Sequence, residues 1–377
     1  MSKSMLPPAT TSEPNRRRFL KGAAVAAAAS TAVAAPAIAQ SQPEVRWRMP
    51  MFVPKTVESV MGAATDLTKR VSDLTDGKFQ LTPFGVGEIV PGGPAVLDAA
   101  EQGTVECAFT LTYYSFGKDP AYAFGSTLPF GLTLRGQYAW LLKNGGQELV
   151  NEFLNTRGVH AFPVGNSTAQ MGGFFRKEIN TIDDLKGLKM RIPGLGGVVM
   201  AKLGVIPQQI APGDIYPALE RGTIDAAEWA APYDDFKFGL HKVAPFYYAP
   251  GWWEPQATIH LCINKKKYDE LPKSYQAVLE AACLATCTSH NAWNDKLNSG
   301  GLRQIIAAGG KLRYFSKEIL DASYDAAFKT YEELSARSPA FAKIYPAWKK
   351  HMDENELYYR VGDHSYENYI FPKRVNS

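Results

Sequence analysis

The hydrophobic and polar positions between Val45 and Pro272 predict alternating strands and helices. Residues 45–50 alternate with the period of a strand, and residues 56–75 carry apolar side chains at helical spacing up to Asp76-Gly77. The pattern continues with strands over residues 79–83 and 159–164 and helices over residues 94–102 and 136–156. This alternation is typical of an α/β fold with crossover connections and a parallel core.

After Pro272 the pattern becomes almost wholly helical. Helices are predicted over residues 273–298, 316–335 and 338–359. Ser338-Pro339 fits the start of the last helix, with serine as the N-cap and proline in the first turn. Long C-terminal helices can bridge two lobes or pair two subunits, and the pattern leaves that choice open.

A short internal similarity supports two lobes. Residues 101–108 and 220–227 match in residue type at almost every position, and each predicts a helix end, a glycine cap and a short strand. Chance similarity of a common helix–glycine–strand unit is the alternative. If the similarity is structural, Phe109-Thr110 and Glu228-Trp229 occupy equivalent strand ends that face a shared cleft.

Two predicted strand ends carry opposite charges. Arg191 closes a run in which Leu188, Met190 and Ile192 face one side, and the glycines after Pro193 let the chain turn into a helix starting near Val198. Glu228 follows a second run, residues 223–227. Because ligands of open α/β sheets bind outside the carboxyl ends of the strands, this edge is the candidate site.

The residue types at this edge suit a small carboxylate and a hard cation. Arginine offers a planar, permanently charged group that binds both oxygens of a carboxylate at once. Glu228 and Gln170 supply the oxygen ligands that Na⁺ or Ca²⁺ prefers. The alternative is a structural ion pair between Arg191 and Glu228, which would leave neither side chain for a ligand.

Other chemical motifs are incomplete. Gly194-Leu195-Gly196-Gly197 lacks the third glycine of a dinucleotide loop, since Val199 stands at that position. The cysteines show no metal-ligand spacing, and two of them lie four residues apart on a predicted helix, where a disulfide is disfavoured. Buried free thiols are therefore expected at Cys107, Cys262, Cys283 and Cys287.

The first 39 residues predict an export signal. Arg16-Arg17 in the segment Asn15-Arg16-Arg17-Arg18-Phe19-Leu20-Lys21 fits a twin-arginine motif, an uncharged stretch follows, and Ala37-Ile38-Ala39 provides small residues for cleavage. An uncleaved membrane anchor is the alternative, disfavoured because the stretch is mostly alanine. We therefore expect a periplasmic mature protein.

Removing this segment also changes the charge balance. It carries five of the 41 Lys and Arg residues and one of the 37 Asp and Glu residues, so the two signs are then equal in number. Nucleic acid and anionic membrane are therefore not indicated as partners. The remaining chain, roughly 340 residues, exceeds the usual size of one compact core and favours two lobes.

Five blocks of the sequence together resemble the solute-binding subunits of TRAP transporters, and most closely the subgroup that binds 2-oxo acids such as pyruvate with a metal ion. The resemblance runs from about Trp47 to the C-terminal helices. The blocks are Gly165-Asn166, Gln170-Met171-Gly172-Gly173, Met190-Arg191-Ile192-Pro193-Gly194, Glu228-Trp229 with Pro232-Tyr233-Asp234-Asp235, and Pro250-Gly251-Trp252-Trp253-Glu254.

The resemblance implies roles for individual residues. Arg191 would anchor the ligand carboxylate, while Glu228, the backbone carbonyl of Trp229 and the Gln170 side chain would hold a cation that also touches the ligand. Asn166 would donate its amide to the ligand, although its place after a strand also fits a turn cap. Glu254 would complete the metal shell or lie at the surface.

Aromatic residues near these blocks have two interpretations each. Tyr113 and Tyr114 follow the first-lobe strand and could reach the cleft, but the chain has 18 tyrosines and packing is the simpler explanation for either. Trp252 and Trp253 could stack on a ligand, although a tryptophan pair lies more often in the core.

Together, these features predict a two-lobed α/β periplasmic binding protein with a ligand cleft between its lobes and long C-terminal helices. It captures a small 2-oxo monocarboxylate with a cation, Na⁺ ahead of Ca²⁺, delivers it to TRAP permease subunits and does no chemistry. The predicted lobes are residues 40–164 with part of 258–315, and residues 165–257, with residues 316–377 packing across both. Some members of the family dimerise through such helices, so a homodimer is possible.

Two alternatives remain open from the sequence. The same class of protein could bind a 2-hydroxy acid such as lactate, or a dicarboxylate. An exported hydrolase could instead use Glu228 with Asp234 or Asp235 as paired carboxylates, but Arg191 would then have no role.

Overall fold

The computed structural model describes residues 42–210 and 212–375. The predicted export signal, residues 1–39, lies outside these ranges. The strands of the described chain are β1 Val45–Pro50, β2 Phe79–Phe84, β3 Cys107–Thr110, β4 Val159–Asn166, β5 Phe174–Phe175, β6 Lys189–Arg191, β7 Ile206–Gln208, β8 Ala226–Ala227, β9 Phe246–Ala249, β10 Thr258–Asn264 and β11 Lys311–Tyr314.

Helices occupy most of the remaining described chain. They are α1 Glu58–Asp73, α2 Pro94–Glu101, α3 Ala123–Ser126, α4 Leu134–Lys143, α5 Gly146–Asn155, α6 Gly194–Lys202, α7 Pro212–Glu220, α8 Pro232–Phe238, α9 Lys265–Asp269, α10 Lys273–Ala307, α11 Lys317–Arg337, α12 Pro339–Tyr359 and α13 Ser365–Val375. Short 3₁₀ turns and one π-turn lie at Thr112–Ser115, Pro120–Tyr122, Ile182–Leu185, Leu240–Lys242 and Arg360–His364. None of the described helices is long and apolar enough to cross a membrane.

The strands form three sheets: the two-stranded sheet is parallel, the three-stranded sheet is antiparallel and the six-stranded sheet is mixed. Their orders are β1-β2, β3-β10-β4 and β11-β9-β5-β8-β6-β7. The predicted parallel core is therefore only partly correct: β6 is parallel to β7 and β8, but β10 is antiparallel to both β3 and β4, and β5 is antiparallel to β8 and β9. The difference arises because β10 returns from the six-stranded sheet and inserts between two earlier strands, which places distant segments side by side.

Several helix boundaries differ from the prediction. The single helix expected over residues 136–156 is two helices, α4 and α5, because Gly145 between them has a φ of 78°, which ends a right-handed helix. Helix α6 begins at Gly194, four residues before the expected start. Helix α10 extends to Ala307, beyond the predicted end at residue 298. Strand β11 and helix α13 were not predicted.

Other expectations are confirmed. Ser338 caps α12, since its hydroxyl accepts a hydrogen bond from the Phe341 backbone N–H at 3.0 Å, and Pro339 lies in the first turn. The four cysteines are buried free thiols. Both segments of the internal similarity are a helix, a left-handed glycine and a strand, with Gly103 and Gly222 each at a φ of 72°.

The C-terminal helices contact α6, which follows β6 of the six-stranded sheet, and α5, which precedes β4 of the three-stranded sheet. Lys202 of α6 pairs with Glu333 of α11 at 2.7 Å, and Lys343 of α12 pairs with Glu152 of α5. Surface pairs of this kind contribute little free energy. The apolar contact is larger: Tyr331 of α11 packs with its ring near Phe341 and Trp348 of α12, and all three are buried.

The long helix α10 fixes the position of α8. Gly301 of α10 lies so close to the start of α8 that an added Cβ would meet the Tyr233 backbone nitrogen at 2.5 Å. Any larger side chain would separate the two helices. The Tyr233 N–H also donates to the Asn298 side chain at 3.1 Å. Helix α10 thereby holds α8, and the residues that follow β8, against the rest of the molecule.

Candidate ligand-binding site

Arg191 and Glu228 meet at one edge of the six-stranded sheet. Strands β6 and β8 are parallel neighbours with Arg191 opposite Ala227, so the two residues leave the sheet together. Arg191 Nη1 donates to the Glu228 backbone carbonyl at 2.7 Å and to the Glu228 carboxylate. Both side chains are buried, at 6% and 1% exposed. The ion pair that the sequence offered as an alternative to ligand binding is therefore present.

The pair uses only part of the guanidinium. Both hydrogen bonds come from Nη1, while Nε and Nη2 make none with the described residues, and Arg191 lines a cavity. The Arg191 guanidinium carbon lies 5.3 Å from the Trp229 ring centroid, which fixes its plane. The Nε–Nη2 edge has the geometry that binds both oxygens of a carboxylate.

A second buried acid lies beside the first. Glu254 is 5% exposed, and its carboxylate accepts a hydrogen bond from Gln170 Nε2 at 2.6 Å. Burial raises the pKa of Glu254 to about 7, and the Tyr113 hydroxyl, the Arg191 charge and the Gln170 amide offset only part of this effect. The structure thus brings Glu254 and Gln170 together with the Arg191–Glu228 pair.

Carboxyl groups outnumber cationic side chains in this cluster. Burial raises the pKa of Glu228 to about 8, because the favourable effect of Arg191 is smaller than the desolvation penalty and Glu254 adds repulsion. Two buried carboxylates therefore share one cationic side chain. An additional positive charge would stabilise the ionised form of both.

Unused acceptor atoms show where such a charge fits. Glu228 Oε2 and Gln170 Oε1 are buried and accept no hydrogen bond from the described part of the chain. Oxygen acceptors without donors suit a hard cation such as Na⁺ or Ca²⁺. Among the described residues, no group of three or more His, Cys, Asp or Glu side chains is arranged to hold a metal ion, so a cation here would rely on few carboxylates and on neutral oxygens.

The cavity beside this cluster is small. Its volume is about 50 Å³. Since a water needs on the order of 10–15 Å³ by this measure, a ligand of a few heavy atoms fits. Its walls are mainly apolar, with isolated polar groups, and comprise Phe52, Val53, Val57, Ser59, Val60, Leu111, Tyr113, Tyr114, Ser167, Gln170, Arg191, Trp229, Ala230, Ala231, Asp234, Ala257, Ile259, His290, Asn294 and Asn298.

Residues 52–338 match the family of bacterial extracellular solute-binding proteins, family 7, known as DctP. The chain belongs to this family. A monocarboxylate 2-oxoacid-binding periplasmic protein of Nostoc sp. is 45% identical to it over 360 residues, which are 94% of this chain and 98% of the relative. The resemblance inferred from the five sequence blocks is thereby confirmed.

Two solved structures of family members resemble the chain over almost their whole length. A TRAP transporter solute-binding protein of Bordetella bronchiseptica, a mixed-occupancy dimer with copurified calcium and picolinate, is 46% identical with a TM-score of 0.86, covering 89% of this chain and 99% of that one. A TRAP periplasmic solute-binding protein of Pseudoalteromonas atlantica with bound sodium and pyruvate is 34% identical with a TM-score of 0.82, covering 87% and 99%. The predicted two-lobed α/β fold is confirmed by these likenesses.

The side chain of Asn166 is hydrogen-bonded to other residues of the protein. Its amide nitrogen donates to Gln256 at 2.5 Å and to Thr258 at 3.0 Å, and its side-chain oxygen accepts from the Thr168 N–H at 2.8 Å. Asn166 is fully buried and is not among the residues that line the cavity. Of the two roles considered, the structure shows the turn cap, because both amide hydrogens are already bonded.

The remaining predicted residues fall into two groups. Tyr113, Tyr114 and Trp229 line the cavity. Trp252 and Trp253 are 3% and 1% exposed and pack edge to face with each other, in agreement with the core interpretation. Glu254 is buried beside Gln170, so its surface alternative is wrong.

Three cavity residues on α10 were missed from the sequence. His290, Asn294 and Asn298 are spaced four apart, which places them on one face of the helix. Burial lowers the pKa of His290 to about 4, and its Nδ1 accepts a hydrogen bond from the Asn166 backbone N–H, so the ring is neutral at pH 7. A polar stripe within an otherwise apolar helix face was the available signal.

Proposed function

We propose that this protein is the periplasmic binding subunit of a TRAP transporter, that it captures a small 2-oxo monocarboxylate together with a cation, and that it delivers the ligand to permease subunits without chemistry. The observation that carries the proposal is that, within the described chain, the Nε–Nη2 edge of Arg191 makes no hydrogen bond and Glu228 Oε2 and Gln170 Oε1 have no donor. The ligands of the relatives support it: 2-oxo acids for the Nostoc protein, and pyruvate with sodium for the Pseudoalteromonas protein.

In this proposal Arg191 binds both carboxylate oxygens through Nε and Nη2 while Nη1 stays on Glu228. The cation, Na⁺ first and Ca²⁺ second, would be held by Glu228, Gln170, Glu254 and the backbone carbonyl of Trp229, and it would supply positive charge to the carboxylate and 2-oxo oxygens. Tyr114 faces the same cavity, and burial raises its pKa to about 12, so its hydroxyl remains a hydrogen-bond donor.

The size and charge of the cavity favour this ligand class over a dicarboxylate. A volume of about 50 Å³ suits a few heavy atoms. Arg191 is the one Lys or Arg among the lining residues, so a second carboxylate would have no cationic partner there. An ionised carboxylate without a partner is unfavourable in a partly dehydrated site.

The contacts of the acidic residues oppose the hydrolase alternative. Asp235 accepts from the Tyr247 hydroxyl at 2.5 Å and from the Ala230 N–H at 3.1 Å, and it does not line the cavity. Asp234 lines the cavity, but Glu228, the second carboxylate of either predicted pair, bonds to Arg191 and is not among the lining residues. Two carboxylates facing each other across a scissile bond, which glycoside hydrolysis requires, are therefore not formed by these residues.

We further propose the lobe boundaries expected from the sequence, and a homodimer formed by the C-terminal helices. Six large apolar side chains near the end of the described chain are each between 55% and 66% exposed: Leu357, Tyr358, Val361, Tyr366, Tyr369 and Phe371. Such a concentration of exposed apolar residues marks an interaction surface. The Bordetella relative, described as a dimer, supports a second copy as the partner.

A thermal-shift experiment tests the binding proposal. Protein stripped of metal by a chelator is melted with pyruvate, lactate or succinate, each with and without Na⁺ or Ca²⁺. At about a hundredfold excess over Kd, binding stabilises the folded state by about 2.7 kcal/mol, which raises Tm by roughly 5 to 10 °C. We expect this rise for pyruvate with a cation. An unchanged Tm for every acid, with cations present, would contradict the proposal.

A further inference from the structure

Of the described residues that line the cavity, Asp234 is the only Asp or Glu. It lies in the first turn of α8, and its carboxylate accepts a hydrogen bond from the Ser59 hydroxyl of α1 at 2.7 Å. This bond joins α8, which follows β8 of the six-stranded sheet, to α1, which follows β1. The carboxylate is thereby held at the wall of the cavity and cannot rotate freely into solvent.

The charged neighbours of Asp234 leave it anionic. Burial raises its pKa to about 6, while the Ser59 hydrogen bond and Lys237 lower it and Glu58 raises it. The acid is therefore mostly ionised at pH 7. Lys237 is directed away from the cavity wall, since its ammonium lies 3.8 Å from the exposed Glu58 carboxylate and Lys237 is absent from the cavity lining. The negative charge of Asp234 consequently acts on the contents of the cavity.

The cavity is thus lined by a cationic side chain, Arg191, and an anionic side chain, Asp234, on different elements. Arg191 belongs to β6, whereas Asp234 is bonded to α1, beside the apolar lining residues Val57 and Val60. A ligand anchored by Arg191 that extends toward this wall meets aliphatic groups and one carboxylate. An alkyl tail is compatible with that surface, and a second carboxylate is not.

We propose that Asp234 is a specificity-determining residue that excludes ligands with a second carboxylate by electrostatic repulsion. The proposal rests on the function proposed above, since it takes the first carboxylate to lie on Arg191. Dicarboxylates would then be disfavoured by the repulsive Asp234 carboxylate, as well as by the absence of a second Lys or Arg among the described lining residues. The ligand class selected is 2-oxo acids whose tail is short and uncharged.

A pair of ligands of equal shape separates charge from size. 2-Oxoglutarate and 5-methyl-2-oxohexanoate have the same number of heavy atoms, but an isopropyl group replaces the distal carboxylate in the second. Calorimetric titration of the wild-type protein, with cation present and pyruvate as reference, is expected to give a Kd for 2-oxoglutarate at least about tenfold higher than for the uncharged analogue.

The variant Asp234→Asn tests the residue. Asparagine keeps an oxygen that can accept from Ser59, so the link between α8 and α1 is retained while the charge is removed. The ratio of the two Kd values is expected to fall to within about threefold. Asp235→Asn is the matched control, since Asp235 is buried next to Asp234 but is not among the lining residues and is hydrogen-bonded to the Tyr247 hydroxyl and the Ala230 backbone N–H, and the wild-type ratio should persist.

The outcomes are distinguishable. Equal exclusion of the two isosteric acids by the wild type would overturn the proposal and identify size as the filter, whereas equal binding would overturn it by showing that the distal charge is not discriminated. The proposal is also overturned if Asp234→Asn keeps the wild-type ratio while its melting curve shows a folded protein. If pyruvate itself fails to bind in the presence of Na⁺ or Ca²⁺, the proposed function is wrong, and with it the assignment of Asp234.

Discussion

At the scale of single residues, Arg191 has two separate roles within one side chain. Its Nη1 atom stabilises the buried Glu228, while Nε and Nη2 make no hydrogen bond with the described residues and Arg191 lines the cavity. A buried arginine is stable here because the ion pair and the Trp229 ring compensate part of its desolvation. This division of contacts allows the same residue to maintain the fold and to bind a ligand.

Replacing Arg191 should therefore affect stability and binding in different ways. Arg191→Ala removes the ligand anchor and leaves Glu228 buried without its partner, so we expect weaker pyruvate binding by about 30- to 4,000-fold and a lower Tm of the ligand-free protein. Arg191→Lys restores a positive charge near Glu228 but no planar edge. We expect it to recover Tm more than affinity. Calorimetry and thermal melts measure the two effects.

The contradicting outcome is specific. If Arg191→Ala binds pyruvate within about threefold of the wild type, the anchor is a different residue. If Arg191→Lys recovers full affinity, a point charge suffices and the planar edge has no role.

The sequence predicted the chemistry of these residues better than their partners. Arg191 and Glu228 could be placed at strand ends because period-two alternation and glycine signals are local. Asn166 could not be assigned in the same way, because Gln256 and Thr258, which bind its amide, lie about 90 residues later in the chain. Hydrogen-bond partners at that separation depend on the tertiary fold.

At the scale of secondary structure elements, the site depends on which strands become neighbours. The β6–β8 pairing sets Arg191 beside Ala227 and hence beside Glu228. Strand boundaries in this region were predicted from local pattern, but the insertion of β10 between β3 and β4 was not. A long connection of this kind leaves no local signal, since the pattern of apolar and polar residues along a strand is the same whether its neighbour is parallel or antiparallel.

The C-terminal helices provide a prediction at this scale. The wild-type protein without residues 1–39 should sediment as a dimer at micromolar concentration, because the exposed apolar side chains of α12, α13 and the turn between them would be covered by a second copy. The double substitution Tyr366→Glu and Phe371→Glu should give a monomer. Tyr314→Glu is the control, since Tyr314 is 72% exposed but lies on β11.

Analytical ultracentrifugation measures each species directly. A wild-type monomer over the same concentration range, or a dimer that the double substitution does not weaken, would count against this interface. Pyruvate affinity, measured in parallel, should be the same in the variants as in the wild type, because none of the substituted residues is among those that line the cavity.

At the scale of the whole molecule, distant segments of the chain supply the charged and polar groups beside the cavity. Glu228 follows β8, Glu254 precedes β10 and Gln170 follows β4, so three separate parts of the chain supply the cluster. Burial raises the pKa of both carboxyl groups, which means that the folded protein binds protons there more readily than the unfolded chain. A cation held by these groups and touching the ligand, as proposed above, would couple cation binding to ligand binding.

This coupling gives the final prediction, through Glu228→Gln. By linkage, cation and ligand should each raise the affinity for the other by the same factor. Glutamine keeps an oxygen for Arg191 Nη1 and nearly the same shape, so the fold should persist. The loss of charge should lower cation affinity, and pyruvate affinity should fall with it and lose its dependence on added Na⁺ or Ca²⁺.

The competing interpretation, in which Glu228 only pairs with Arg191, predicts the opposite sign. Weakening the pair would then free the guanidinium, so pyruvate would bind Glu228→Gln as tightly as the wild type or more tightly, and neither protein would respond to cations. Titrating pyruvate into chelator-treated protein, before and after Na⁺ or Ca²⁺ is restored, separates the two. Cation-independent binding by the wild type would rule out a shared cation, since the coupling must appear in both affinities or in neither.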